Sequence, residues 1–112
     1  MIEKTVIDYL NANASVTAYA EMPKNPPASF LIVEKTGSGK NNHINSATIA
    51  VQSYASSMFK AAQLNNEIIG IMEWIIELDN VARCSLTTDY NFTDTATKKY
   101  RYQAVFEIKY YY

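Results

Sequence analysis

One cysteine, one histidine and one tryptophan, with three glycines and three prolines, are all that this 112-residue chain has of the residues that usually build metal sites, disulfides and loops. The lone cysteine, Cys84, excludes an intrachain disulfide and any paired-cysteine metal motif, which fits a reducing compartment. Charge of one sign is also lacking. Ten basic side chains stand against eleven acidic ones, and a net charge of −1 gives no electrostatic reason to expect nucleic acid or an anionic membrane as partner. The opening MIEKTVIDYL carries charges inside its apolar pattern, which argues against both a signal peptide and a membrane span. The expectation is a single soluble, cytoplasmic domain with one two-layer core. What the chain does have is tyrosine, nine in all, a residue favoured in strands and at protein interfaces.

The longest periodic stretch runs from Tyr54 to Leu78. At 100° per residue, Met58, Ala61, Ala62, Leu64, Ile68, Ile69, Ile71, Met72, Ile75 and Ile76 fill one arc, and Lys60, Gln63, Asn66, Glu67, Glu73 and Glu77 the other. This spacing predicts an amphipathic helix lying on a sheet. Asn65 points into the apolar arc and requires a hydrogen-bond partner. Trp74 falls on the polar arc with Gly70 one turn before it and Phe59 on the flank, an aromatic patch where a simple lid would show only charge.

Ile2 to Leu10 has the apolar spacing of a short helix, with Asn11 and Asn13 suited to its end. A first strand is expected over Val16 to Met22, stopped by PKNPP. Ser29 to Thr36 follows, and its core of Phe30, Leu31, Ile32 and Val33 does not alternate, as in a strand covered on both sides or at a subunit contact. Gly37 to Asn45 reads as a flexible loop, and Ser46 to Tyr54 as a strand leading into the long helix. After a turn at Asp79 and Asn80, Val81 to Phe92 places Ala82, Cys84, Leu86, Thr88, Tyr90 and Phe92 on one face. The last strand places Tyr100, Tyr102, Ala104, Phe106, Ile108 and Tyr110 together, so the two form a long antiparallel hairpin. The class is α+β: an antiparallel or mixed sheet of four or five strands with one long and one short helix packed against it.

No constellation adds up to an active site, a cofactor site or a metal site. GSGK invites a phosphate-loop reading, but the full motif needs glycine where the chain has Glu34 and Ser or Thr where it has Asn41, and no helix follows. His43 has no nucleophile tied to it by local spacing, Cys84 sits on an inward face as a small apolar group, and Glu67, Glu73 and Glu77 lie on a solvated arc. Trp74 with Gly70 and Phe59 has two explanations, packing against the N-terminal helix or a subunit interface in which tryptophan anchors and glycine admits a neighbouring backbone.

PASFLIVEKTGSG, INSATIAVQSYASSMFKAAQLNNEI and the closing YRYQAVFEIKYYY together resemble the tail-terminator, or tail-completion, proteins of long-tailed bacteriophages. The matching features are the acidic-basic-Thr-Gly strand end at Glu34 to Gly37, the VQSYA lead-in at Val51 to Ala55, the alanines Ala61 and Ala62, and the Arg101-Tyr102 opening of the final strand. The chain departs from the family in having Asn41 and Asn42 where an aspartate often precedes the third strand. The resemblance implies a non-enzymatic virion protein, without cofactor, that works in the host cytoplasm during assembly. It would cap the head-proximal end of the tail tube as a ring of six and meet the tube protein and the head completion or connector protein. On that basis the subunit contact is expected at Phe59, Gly70 and Trp74 or at the sheet edge of Phe30, Glu34 and Lys35, with Gly37, Ser38, Gly39, Lys40, Asn41, Asn42 and His43 as a docking loop. A neck protein of the same virion is the alternative, and a small intracellular nucleotide-binding module or enzyme is the alternative from another class.

Overall fold

In a computed structural model describing residues 1–111, a five-stranded sheet carries both helices on one face. Tyr112, the last residue of the closing segment quoted above, lies outside the described residues. The order along the chain is α1 (Ile2–Asn13), β1 (Ala18–Tyr19), β2 (Phe30–Asn41), β3 (Ile44–Ala55), α2 (Met58–Met72), a single 3-10 turn (Ile75–Glu77), β4 (Val81–Asn91) and β5 (Tyr100–Tyr110). Across the sheet the strands run β1-β2-β3-β5-β4. β1 lies parallel to β2 and every other pair is antiparallel, so the α+β class holds with a mixed sheet.

The core lies between the helices and one sheet face. Val6 and Leu10 of α1 and Leu64, Ile68 and Met72 of α2 pack on Leu31, Val33, Ile49, Val51, Ala104, Phe106 and Ile108, all buried. Asn65, also buried, donates from Nδ2 to Asp89 Oδ2 at 3.0 Å, which supplies the partner its position requires. On the opposite face Phe30, Ile32 and Tyr54 form a second, smaller cluster with Tyr19 packed against it. The unalternating run of β2 is therefore covered on both sides at its start.

Four expectations are corrected. The long helix does not begin at Tyr54: Tyr54 and Ala55 stay in β3, paired with Arg101 and Tyr100, and the helix starts only where the Ser57 hydroxyl accepts from the Lys60 amide at 3.2 Å. Nor does it run to Leu78. It stops at Met72, Trp74 takes φ −98 and ψ 0, and the next turn is 3-10, with Leu78 N–H bonded to Ile75 O. The first strand is only two residues long, because just Ala18 and Tyr19 reach Leu31 and Ile32 before the proline-rich segment. In β4 the alternation breaks twice, at Ala82, an extra residue between the pairs Val81–Tyr110 and Arg83–Lys109, so that Val81 and not Ala82 joins the core, and at Thr87, between the pairs Leu86–Phe106 and Thr88–Val105. Cys84 and Leu86 stay on the helix-bearing face, but Thr88 and Tyr90 pass to the opposite one and Asp89 takes their place.

Candidate functional site

Phe59, Gly70 and Trp74 do not form one patch. Phe59 stands in the first turn of α2, 72% exposed, about 20 Å along the helix from its far end. Trp74, just past that end, is 67% exposed, so neither ring tucks into the fold. Gly70 and Trp74 do come together, along a groove of about 340 Å³ whose other wall is Tyr9 and Asn13 of α1. A Cβ at Gly70 would touch nothing within 4 Å, so internal packing does not demand glycine there. Beside this groove, α1 and the residues just after it are tied to the 3-10 turn and α2 by glutamates that the helical pattern placed in solvent. Glu67 accepts from the Ser15 amide at 2.8 Å and its hydroxyl at 2.9 Å, and Glu77 accepts from Tyr9 Oη at 2.9 Å. Burial, and then the bond to Glu77, hold the Tyr9 phenol above its usual pKa.

The expected edge contact at Phe30, Glu34 and Lys35 divides as well. Phe30 is buried, its ring stacked 4.6 Å from that of Tyr54, while Glu34 and Lys35 are exposed beyond the point where β1 stops pairing. Lys35 Nζ lies 3.9 Å from a carboxylate oxygen of Glu3.

The flexible loop expected from Gly37 to Asn45 is instead the end of a β-hairpin. β2 continues to Asn41, β3 starts at Ile44, and Asn42 and His43 alone make the turn, with φ 51 and 69. Two successive positive φ values define a type I′ turn, whose twist matches that of the strands it joins. Gly37 and Gly39 are strand residues, and a Cβ on Gly39 would come within 3.0 Å of Ser46 Oγ. Lys40, Asn41, Asn42, Ile44, Ser46 and Lys109 surround a polar depression of about 370 Å³ at this tip.

Sequence reasoning missed the row of rings across the helix-free face. Phe30, Tyr54 and Arg101 lie directly opposite one another on β2, β3 and β5. The Arg101 guanidinium sits 5.6 Å from the centre of the Tyr54 ring and 4.3 Å from that of Phe92, and its donors reach Tyr54 Oη and Phe92 O, each at 2.7 Å. Tyr19 closes the row against Phe30 at 6.2 Å, and Tyr90 meets Phe92 edge-on at 5.7 Å. A second row, Ile32, Gln52, Gln103 and Tyr90, is joined by side-chain hydrogen bonds between the last three. The tyrosine count and the unalternating start of β2 were the signals that could have located it.

The remaining reactive side chains are separate. Burial pushes the Cys84 thiol up to about 11, so it is protonated at neutral pH and a poor nucleophile. Among the described residues no group of three or more His, Cys, Asp or Glu is gathered as a metal site would need, and no helix is long and apolar enough to cross a membrane. These surfaces define a protein with two unlike sheet edges and a second sheet face whose central rings, Phe30 and Tyr54, are buried in a small cluster of their own. No protein-family model matches the chain, and no curated protein matches it.

Proposed function

We propose that this chain is a phage or prophage assembly protein that caps the head-proximal end of the tail tube as a ring, ends tube polymerisation and offers a joining surface to the head. The observation that carries the reading is the unlike pair of free edges. Among the described residues β1 covers only Leu31 and Ile32 of β2, and β4 has no neighbour on its outer side, so each molecule ends in one exposed edge of each kind. Rings require such heterologous contacts, one surface of each subunit meeting a different surface of the next. The short motifs shared with tail-terminator proteins supply the biological context. Phe59 and Trp74 add exposed aromatic area of the kind that anchors interfaces, and the Gly37–His43 hairpin is the element assigned to docking on the tube or connector.

The test is the molar mass in solution by light scattering over a range of protein concentrations, alone and with tail tubes added. A mass near six subunits, or binding confined to one end of the tubes, is the expected result. Monomers that ignore tube ends at every concentration would sink the reading. In the same assay Trp74→Ala should weaken assembly and leave the monomer folded.

A further inference from the structure

The two free edges carry matching backbone polarity. Leu31 N–H bonds to Thr17 O on the β1 side of β2, so by strand alternation Val33 and Lys35 also turn their backbone groups outward. At the other edge, Phe92 N–H bonds inward to Arg101 O, so Asn91 and Asp89 turn theirs outward. On both edges these outward residues have side chains on the helix-bearing face: Leu31 and Val33 belong to the core, and Asp89 holds Asn65. β2 and β4 also run in opposite directions within the sheet.

We propose that the subunit junction is a sheet extension, in which β4 of one copy pairs antiparallel with β2 of the next. A second copy related by rotation about an axis close to the strand direction presents its β2 to β4 with the helices on the same side. The proposal rests on the ring reading above and names its contact. Within the stretch that would pair, each edge carries one bulge, Thr36 in β2 and Thr87 in β4; the other bulge of β4, at Ala82, falls past the end of β2. With Lys35 opposite Asp89, Val33 faces Asn91, Glu34 faces Tyr90 and Ser38 faces Leu86. Three steps separate Lys35 from Ser38 and three separate Asp89 from Leu86, so the bulges cancel and both side-chain faces stay in phase beyond them. A slip of two residues toward the turn of β2 sets Gly37 of one face against Asp89 of the other. The opposite slip sets Asp89 against Val33 and moves the bulges out of step, Lys35 falling opposite Thr87 and Leu86 opposite Thr36, so bulge alignment and charge both select the register that pairs Asp89 with Lys35. The same pairing covers two rows of exposed backbone donors and acceptors that would otherwise invite uncontrolled association.

Cross-linking tests this directly. In a Cys84→Ser background, Glu34→Cys and Tyr90→Cys together place thiols at a directly opposed pair across the junction. Within one chain the two positions are three strand spacings apart, about 14 Å, too far for a disulfide. Mild oxidation should give a covalent ladder on a non-reducing denaturing gel, with each single variant remaining monomeric there. Lys35→Glu, at an exposed site, should raise the midpoint concentration of assembly about two- to fivefold per junction. An assembly of ring mass that yields no ladder, with Lys35→Glu neutral, would overturn the junction and leave the ring reading standing. Covalent dimers from Glu34→Cys alone would show the β2 edge pairing with itself, and would also overturn it. Monomers under all conditions would overturn both.

Discussion

Ile75 and Ile76 are neighbours of the same type, both on the apolar arc of the helical pattern, yet Ile75 is 0% exposed and Ile76 51%. The break after Met72 separates them, because a 3-10 turn advances by about 120° per residue and carries Ile76 out of the phase that an unbroken helix would keep. Truncating Ile75 to alanine removes three buried carbons from the core and leaves a cavity, for a loss of about 2–5 kcal/mol. Truncating Ile76 removes the same three carbons, worth roughly 2.4 kcal/mol if fully buried, but about half of that surface is already in water and no closed cavity forms. Its loss should be near 1 kcal/mol. With a urea slope of about 2 kcal/mol/M, the unfolding midpoint should fall by about 1.5 M for Ile75→Ala and by about 0.5 M for Ile76→Ala. Equal shifts would refute the break and restore a continuous helix to Leu78, in which Trp74 would sit differently.

His43→Gly relieves a positive φ on a side-chain-bearing residue of the hairpin turn and should add about 0.5–1 kcal/mol, read as a raised Tm. Arg101→Lys keeps the charge but loses the planar donor set that joins Tyr54, Phe92 O and the two rings, and should lose about 1–2 kcal/mol in urea unfolding. The Cys84 thiol has a folded pKa raised from 9.0 to about 11, so the folded state holds its proton more tightly than the unfolded chain does. Its contribution is full below pH 9 and is lost as pH rises through 11, a fall of about 1–2 kcal/mol after allowing for the water that still reaches the thiol. Cys84→Ala should remove that part of the alkaline decline; a decline of equal depth in both proteins would contradict the assignment.

Large periodic elements were legible in the sequence. The apolar arc of α2 finds its partner face through Ala61, Leu64, Ile68 and Met72, Asn65 finds a hydrogen-bond partner in Asp89, and the β4–β5 hairpin forms where alternation placed it. Features set by single residues were not. A bulge such as Thr87 leaves hydrophobic period unchanged on paper while inverting which residues face the core. The turn at Asn42-His43 lacks the Asn-Gly signal, and two strand glycines beside it imitate a loop. The helix break at Met72 is marked by no proline or glycine at the break itself. For the site, Trp74 and Phe59 are exposed as isolated residues rather than as a patch. The ring row around Arg101 required the strand order, which brings residues 30, 54 and 101 together only through tertiary pairing.

The central claim is that copies of this chain close into a ring. Electron microscopy of the concentrated protein, imaged in negative stain and averaged end-on, tests it most directly. Closed particles of six subunits around a central pore are the predicted result. Compact single subunits, open filaments or two-fold dimers at concentrations where the mass has reached its plateau would contradict it.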